Sequence, residues 1–210
     1  ASKRVANPGC YPQGVIACLR PLIDAGLLPA DYPVTVNAIS GYSGGGRQMI
    51  EAYEAEGAAK PAFLPYALSL NHKHLPEMTR FAGLAATPIF VPAVGNFAQG
   101  MVTAVPLRLE GLAKAPTGAE IHAALEAHYG ALQGSFVDVA PLSGSDKAPD
   151  LDPETFNGTN RMRLHVFAND ARAQVVLMAV YDNLGKGASG AAVQNLNLML
   201  DVDAATSLAA

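Results

Sequence analysis

No stretch of this 210-residue chain holds the ~18 consecutive apolar residues of a membrane-crossing helix. Charge is sparse: 15% of residues are charged, the net charge is −4, and the basic residues are scattered. That leaves no basic stripe for a nucleic acid. The opening residues Ala1-Ser2-Lys3-Arg4 lead into only a few apolar positions and do not read as a signal peptide. Cysteine is scarce, with only Cys10 and Cys18. Both fall on one expected helix, so their backbones stand ~12 Å apart, too far for a disulfide. Their spacing is not CxxC, which argues against structural zinc. A reduced, cytoplasmic, metal-free protein is the expectation. Repeats and low-complexity tracts are absent, and no GxGxxG follows a strand.

Half the residues are hydrophobic, enough for one large core or two small ones. The spacing of Val15, Ile16, Leu19, Leu22 and Ile23 predicts a helix over 11–25, with Pro12 in its first turn and Gly26 as its stop. A strand is expected over 34–39 and a helix over 48–59. Residues 66–70 read as extended, and Pro76 and Glu77 suit the first turn of a short helix. Strands over 89–94 and 101–109 look like a hairpin-like pair. A helix over 119–132 places Ile121, Leu125, His128 and Leu132 on one face. Strands follow over 136–139, 162–168 and 174–181, with a loop over 143–153 after the first. A last helix starts near Gly187, carrying Ala192, Leu196 and Met199 on one side. Strands in hairpins followed by helices predict an α+β fold, a mixed or antiparallel sheet with helices on one face.

Four features carry chemistry. Cys10 sits at a helix N-terminus, where the macrodipole and unpaired N–H groups favour the nucleophilic thiolate; the alternative is a small buried apolar residue. Cys18, two turns inside, reads as core. His72 and His74 precede a helix start in a polar turn and suit acid–base work, or zinc if further ligands existed. His122, His128 and His165 sit in regular elements and read as surface or packed residues. The loop Ser43-Gly44-Gly45-Gly46-Arg47 offers converging N–H groups, a hydroxyl and a guanidinium to a phosphate or carboxylate. Residues 182–190, from Asp182 to Gly190, form a strand-to-helix turn whose small residues admit a cofactor or simply start a helix.

Together these segments resemble the N-acetyl-γ-glutamyl-phosphate reductase family. The matching stretches are Val5 through Pro12, Gly41 through Arg47, His72 through Met78, Gly158-Thr159-Asn160, and Asp182 through Asn197. The triple glycine after Ser43, where the family often has an alanine, points to a shorter subtype. The resemblance implies the C-terminal domain of a glyceraldehyde-3-phosphate dehydrogenase-like plan, shared with aspartate-semialdehyde dehydrogenase. It further implies that the N-terminal Rossmann domain is absent from this chain, which begins abruptly beside its chemistry. Residues 1–185 would then be the substrate, catalytic and dimerisation domain, and 186–210 a helix that packs on the dinucleotide-binding domain.

The implied reaction is NADP(H)-dependent reductive dephosphorylation of an acyl phosphate, in arginine biosynthesis. Cys10 is the nucleophile, with His74 or His72 handling protons. Ser43, Gly44, Arg47, Tyr66 and Glu77 are the substrate-side candidates. Asn183, Gly9 and Leu184 are the nicotinamide-side candidates, and a homo-oligomer, dimer or tetramer, is expected. Aspartyl or aminoadipyl phosphate reduction, and a non-catalytic dimerisation domain, are the alternatives.

Overall fold

The computed structural model describes residues 2–132, 135–142 and 151–209. The chain opens with α1 (Cys10–Asp24), whose Gly9 N-cap has no side chain to bond the first-turn N–H groups. Val15, Cys18, Leu19 and Leu22 lie on its buried face. Each of the aliphatic ones contributes about 1.5–3 kcal/mol relative to exposure. Pro21, inside the helix, has no N–H for the Ala17 carbonyl. The Tyr129 hydroxyl donates to that carbonyl instead, at 2.8 Å.

Seven strands follow: β1 (Thr35–Gly41), β2 (Phe63–Pro65), β3 (Ile89–Gly95), β4 (Met101–Arg108), β5 (Val137–Val139), β6 (Met162–Asn169) and β7 (Gln174–Tyr181). They form one sheet in the order β2-β3-β1-β4-β7-β6-β5. Only β1 with β3 and β5 with β6 pair in parallel; the other neighbours are antiparallel. The remaining helices are α2 (Arg47–Glu56), α3 (Leu75–Ala82), α4 (Gly118–Gly130) and α5 (Gly190–Met199). The expected α+β mixed sheet is thus observed. α1 lies against β4, β6 and β7, α4 against β5 and β6, and α3 against α1. The opposite face carries Ile39, Val91, Val102, Ala104, Val176 and Met178, each only half-buried.

The hairpin expected between 89–94 and 101–109 does not form. β1 lies between β3 and β4 and pairs with both. The connection passes across the end of β1: the N–H groups of Gly41, Tyr42 and Ser43 donate to the carbonyls of Gly100, Phe97 and Ala98. A Cβ at Gly41 would stand 2.6 Å from the Ala98 carbonyl oxygen, so glycine is what lets the two backbones pass. The true hairpin is β6–β7, turned at Asp170–Arg172.

Smaller departures from the expected elements accompany this one. The segment expected to be extended over 66–70 instead follows the short strand β2, and residues 67–70 form a turn with positive φ at Ala67 and Leu70. In α4 the buried face is Ile121, His122 and Leu125, while His128 and Leu132 are exposed. That helix starts in a capping box, Thr117 with Glu120. The final helix is preceded by a π-helical turn, Gly185–Ser189. Its Leu196 and Met199 face outward, with Leu198, Leu200 and Val202 also exposed. Of the loop expected over 143–153, residues 143–150 lie outside the described residues.

Candidate active site

Cys10 is the first residue of α1, and its thiol shares a cavity of about 320 Å³ with His72, Lys73, His74 and Tyr66. Ser40, Gly41, Gly44, Gly45, Met49, Val94 and Tyr11 complete the wall. β1 delivers the first two of these, the turn after it the glycines, and the segment before α3 the two histidines. The site is therefore built where the C-terminal end of β1 meets the N-termini of α1 and α3.

The Cys10 backbone is held from several sides. The Glu77 carboxylate accepts the Gly9 N–H at 3.1 Å, and the Tyr181 hydroxyl donates to the Cys10 carbonyl at 2.8 Å. The His74 ring lies over Gly9: a Cβ there would sit 2.5 Å from His74 Nε2. Glycine at position 9 is thus what brings the imidazole up to the turn carrying the thiol.

Electrostatics differ from the expectation of a depressed thiol. Burial pushes the Cys10 thiol above its ordinary value. The N–H groups of Tyr11 and Cys10, and the Lys73 ammonium, pull it back down without prevailing, while Glu77 adds to the rise. Cys18 is pushed up to about 12 by burial alone, as an inert core thiol should be. Burial, with help from His72 and Lys73, lowers His74 to about 4. His72 is also lowered, again by burial first and Lys73 second. Both imidazoles are neutral at pH 7. The His74 N–H donates to His72 Nδ1 at 3.1 Å. Neutral His72 therefore carries its proton on Nε2, which faces the Tyr66 hydroxyl at 3.4 Å. His74 Nδ1 is buried with no partner among the described residues, so nothing there fixes its tautomer.

The other expected site residues divide. Tyr66 and Gly44 line the cavity. Glu77 serves the Gly9 backbone, and burial raises its carboxyl against the pull of that N–H. Ser43 is buried, its Oγ accepting from Asn183 Nδ2 at 3.0 Å. Arg47 points to solvent, its side chain 89% exposed and paired with Glu51 at 2.7 Å. The cation in the cavity wall is Lys73 instead. Lys73 and Tyr181 were the residues missed. The signal for Lys73 was its place between the two histidines; nothing local marks Tyr181.

On the nicotinamide side, Asn183 is buried and its amide is engaged at both ends, since Oδ1 accepts the Gly100 N–H at 2.7 Å and Nδ2 donates to Ser43 Oγ. The Gly9 N–H is taken by Glu77, and only Leu184 presents a free side chain. These residues do not fit a dinucleotide site on their own. Among the described residues no group of histidine, cysteine and carboxylate side chains has the arrangement of a metal site. Among the described residues no helix is long and apolar enough to cross a membrane.

Residues 10–183 match the profile of the semialdehyde dehydrogenase dimerisation domain. The chain belongs to that family. Close relatives within it are N-acetyl-gamma-glutamyl-phosphate reductases. That of Mesorhizobium japonicum is 64% identical over 199 residues, covering 95% of this chain and 65% of the relative. That of Burkholderia cenocepacia is 56% identical over 207 residues, covering 97% and 65%. The chain thus spans 65% of the length of these two relatives. Aspartate semialdehyde dehydrogenase II from Vibrio cholerae shares the fold of this dimerisation domain. Its TM-score is 0.70 at 18% identity, over 94% of this chain and 62% of that one.

Proposed function

We propose that this chain is the thiol-bearing and dimerisation part of an acyl-phosphate reductase, with N-acetyl-γ-glutamyl phosphate as its acyl donor. The observation that carries the reading is Cys10 at a helix start, sharing one cavity with two neutral imidazoles and a lysine. The family relatives supply the substrate's name.

The chemistry starts from a neutral thiol, because burial raises Cys10. A neutral imidazole beside it accepts the thiol proton as sulfur attacks the acyl carbon. The S–C bond forms, the carbonyl pair moves to oxygen, and the tetrahedral intermediate expels phosphate as the C–O bond breaks. The imidazolium returns the proton to the leaving phosphate. His74 is the better candidate: its ring lies over Gly9, whereas His72 is tied to the His74 N–H and faces Tyr66. The Cys10 and Tyr11 N–H groups at the start of α1, which face the thiol and carry no side-chain cap, would be the donors for the developing oxyanion. Lys73 is the cation placed for the substrate's anionic groups. NADP(H) is the expected hydride source of the whole protein, but the residues described here do not form its site, and this chain's own part ends at the thioester. Assembly through the uncovered sheet face, packing of 186–210 on a dinucleotide-binding domain, and a cytoplasmic setting belong to the same reading.

A second reading, dimerisation without chemistry, is favoured by the raised thiol and by the engagement of the Asn183 amide within the fold. Exposing the full-length protein to N-acetyl-γ-glutamyl phosphate and weighing the Cys10 peptide separates the two. An acyl adduct on Cys10, lost in Cys10→Ser and kept in Cys18→Ser, is expected. No adduct and no NADPH consumption would leave only dimerisation. Faster turnover of aspartyl or aminoadipyl phosphate would move the substrate assignment.

A further inference from the structure

The turn Gly185–Ser189 is π-helical, a geometry rare in proteins and frequent at functional sites. Its bonds run five residues back: the Gly187 N–H donates to the Asp182 carbonyl and the Ser189 N–H to the Leu184 carbonyl, both at 2.8 Å. This winding brings Gly187, which is buried, against the nucleophile. A Cβ at Gly187 would stand 3.1 Å from Cys10 Cβ and 3.0 Å from the Asp182 carbonyl oxygen. Neither neighbour can easily retreat. The Cys10 carbonyl is held by Tyr181, and the Asp182 carboxylate accepts from Gln99 Nε2, the Gly158 N–H and the Leu184 N–H. The same turn grips the approach to Cys10, since the Ala188 carbonyl accepts from Asn7 Nδ2 at 2.9 Å.

We infer that Gly187 is a positioning residue for Cys10, and that the π-helical turn is the backstop that aims its side chain into the cavity. An ordinary α-helical start would form i→i+4 bonds, without this five-residue winding. The inference rests on the proposed role of Cys10 as nucleophile.

The test compares full-length Gly187→Ala with wild type and with Gly118→Ala. The latter crowds Ala168, which does not line the cavity, and so controls for added crowding away from Cys10, with the melting temperatures of both variants measured alongside. Iodoacetamide alkylation of Cys10 is followed from neutral to alkaline pH, which needs neither substrate nor NADPH. In Gly187→Ala the alkylation profile should shift, and kcat should fall about tenfold or more with KM nearly unchanged, as small misplacements of reacting groups do. Gly118→Ala should keep the wild-type profile. If Gly187→Ala does not fold, Ser189→Ala loosens the turn by removing the hydroxyl bond to the Leu184 carbonyl, and a shifted profile is again expected. A wild-type profile in the foldable variant, or an equal shift in Gly118→Ala, overturns the inference. Absence of turnover in the wild type would instead defeat the reductase reading, while alkylation still decides the role of Gly187.

Discussion

The Tyr181 hydroxyl spans the first turn of α1, donating to the Cys10 carbonyl at 2.8 Å and accepting the Gly14 N–H at 3.1 Å. Thr103 Oγ1 lies 3.2 Å away and completes the hydroxyl's partners. The ring is fully buried at the end of β7, so the central sheet reaches directly to the Cys10 backbone. Gly14 makes the approach possible: a Cβ there would lie 2.8 Å from the Tyr181 hydroxyl oxygen.

Tyr181→Phe keeps the ring and removes these bonds. Buried polar groups left without partners cost about 1–3 kcal/mol. A lowered melting temperature is expected, together with faster hydrogen exchange at the Gly14 amide and an altered Cys10 alkylation rate. Unchanged exchange at Gly14 would mean that the hydroxyl does not hold the turn.

Much of this was legible locally. α1 announced itself through its apolar spacing and Pro12, and Cys10 through its place at that helix's edge. The sheet order was not legible, because β1 inserts between β3 and β4 through a crossing that only Gly41 and the 97–100 backbone reveal. Arg47 looked like an anion ligand beside three glycines, yet the helix that begins there turns it to Glu51. Asn183 looked free for a cofactor because its partners, Ser43 and Gly100, lie far off in sequence. Cavity walls assembled from distant segments leave no short-range trace.

His74 gives the protein a pH-dependent stability with a definite sign. Its folded value is about 4, lowered by burial and then by His72 and Lys73, against about 6.5 when unfolded. Between those values the unfolded chain binds the extra proton, so stability is lost as pH falls through that window and is flat above it. The lowered His72 acts in the same direction, while the raised Glu77 acts in the opposite one. Comparing wild type with His74→Gln cancels both. The variant should show a shallower decline in melting temperature between about pH 6.5 and pH 4. Parallel declines would show that His74 protonates freely in the fold.

Lys186 is the other group whose burial has a measurable consequence. Its ammonium bonds a neutral partner, Gln194 Oε1 at 2.7 Å, and burial lowers it to about 8. It is therefore mostly charged at pH 7 at a cost to the fold. The unfolded lysine, near 10.4, binds more protons between the two values, so stability should rise with pH across that window. Lys186→Met keeps the aliphatic stem and removes the charge, and Gln194 Oε1 still accepts from Asn160 Nδ2. The variant should be more stable at pH 7, by about 1–3 kcal/mol at most, and so melt higher. It should also lose the stability gain above pH 8. Thermal melts of both proteins from pH 7 to pH 10 decide it. A variant less stable at pH 7 would show that the Lys186–Gln194 bond outweighs the desolvation of the amine.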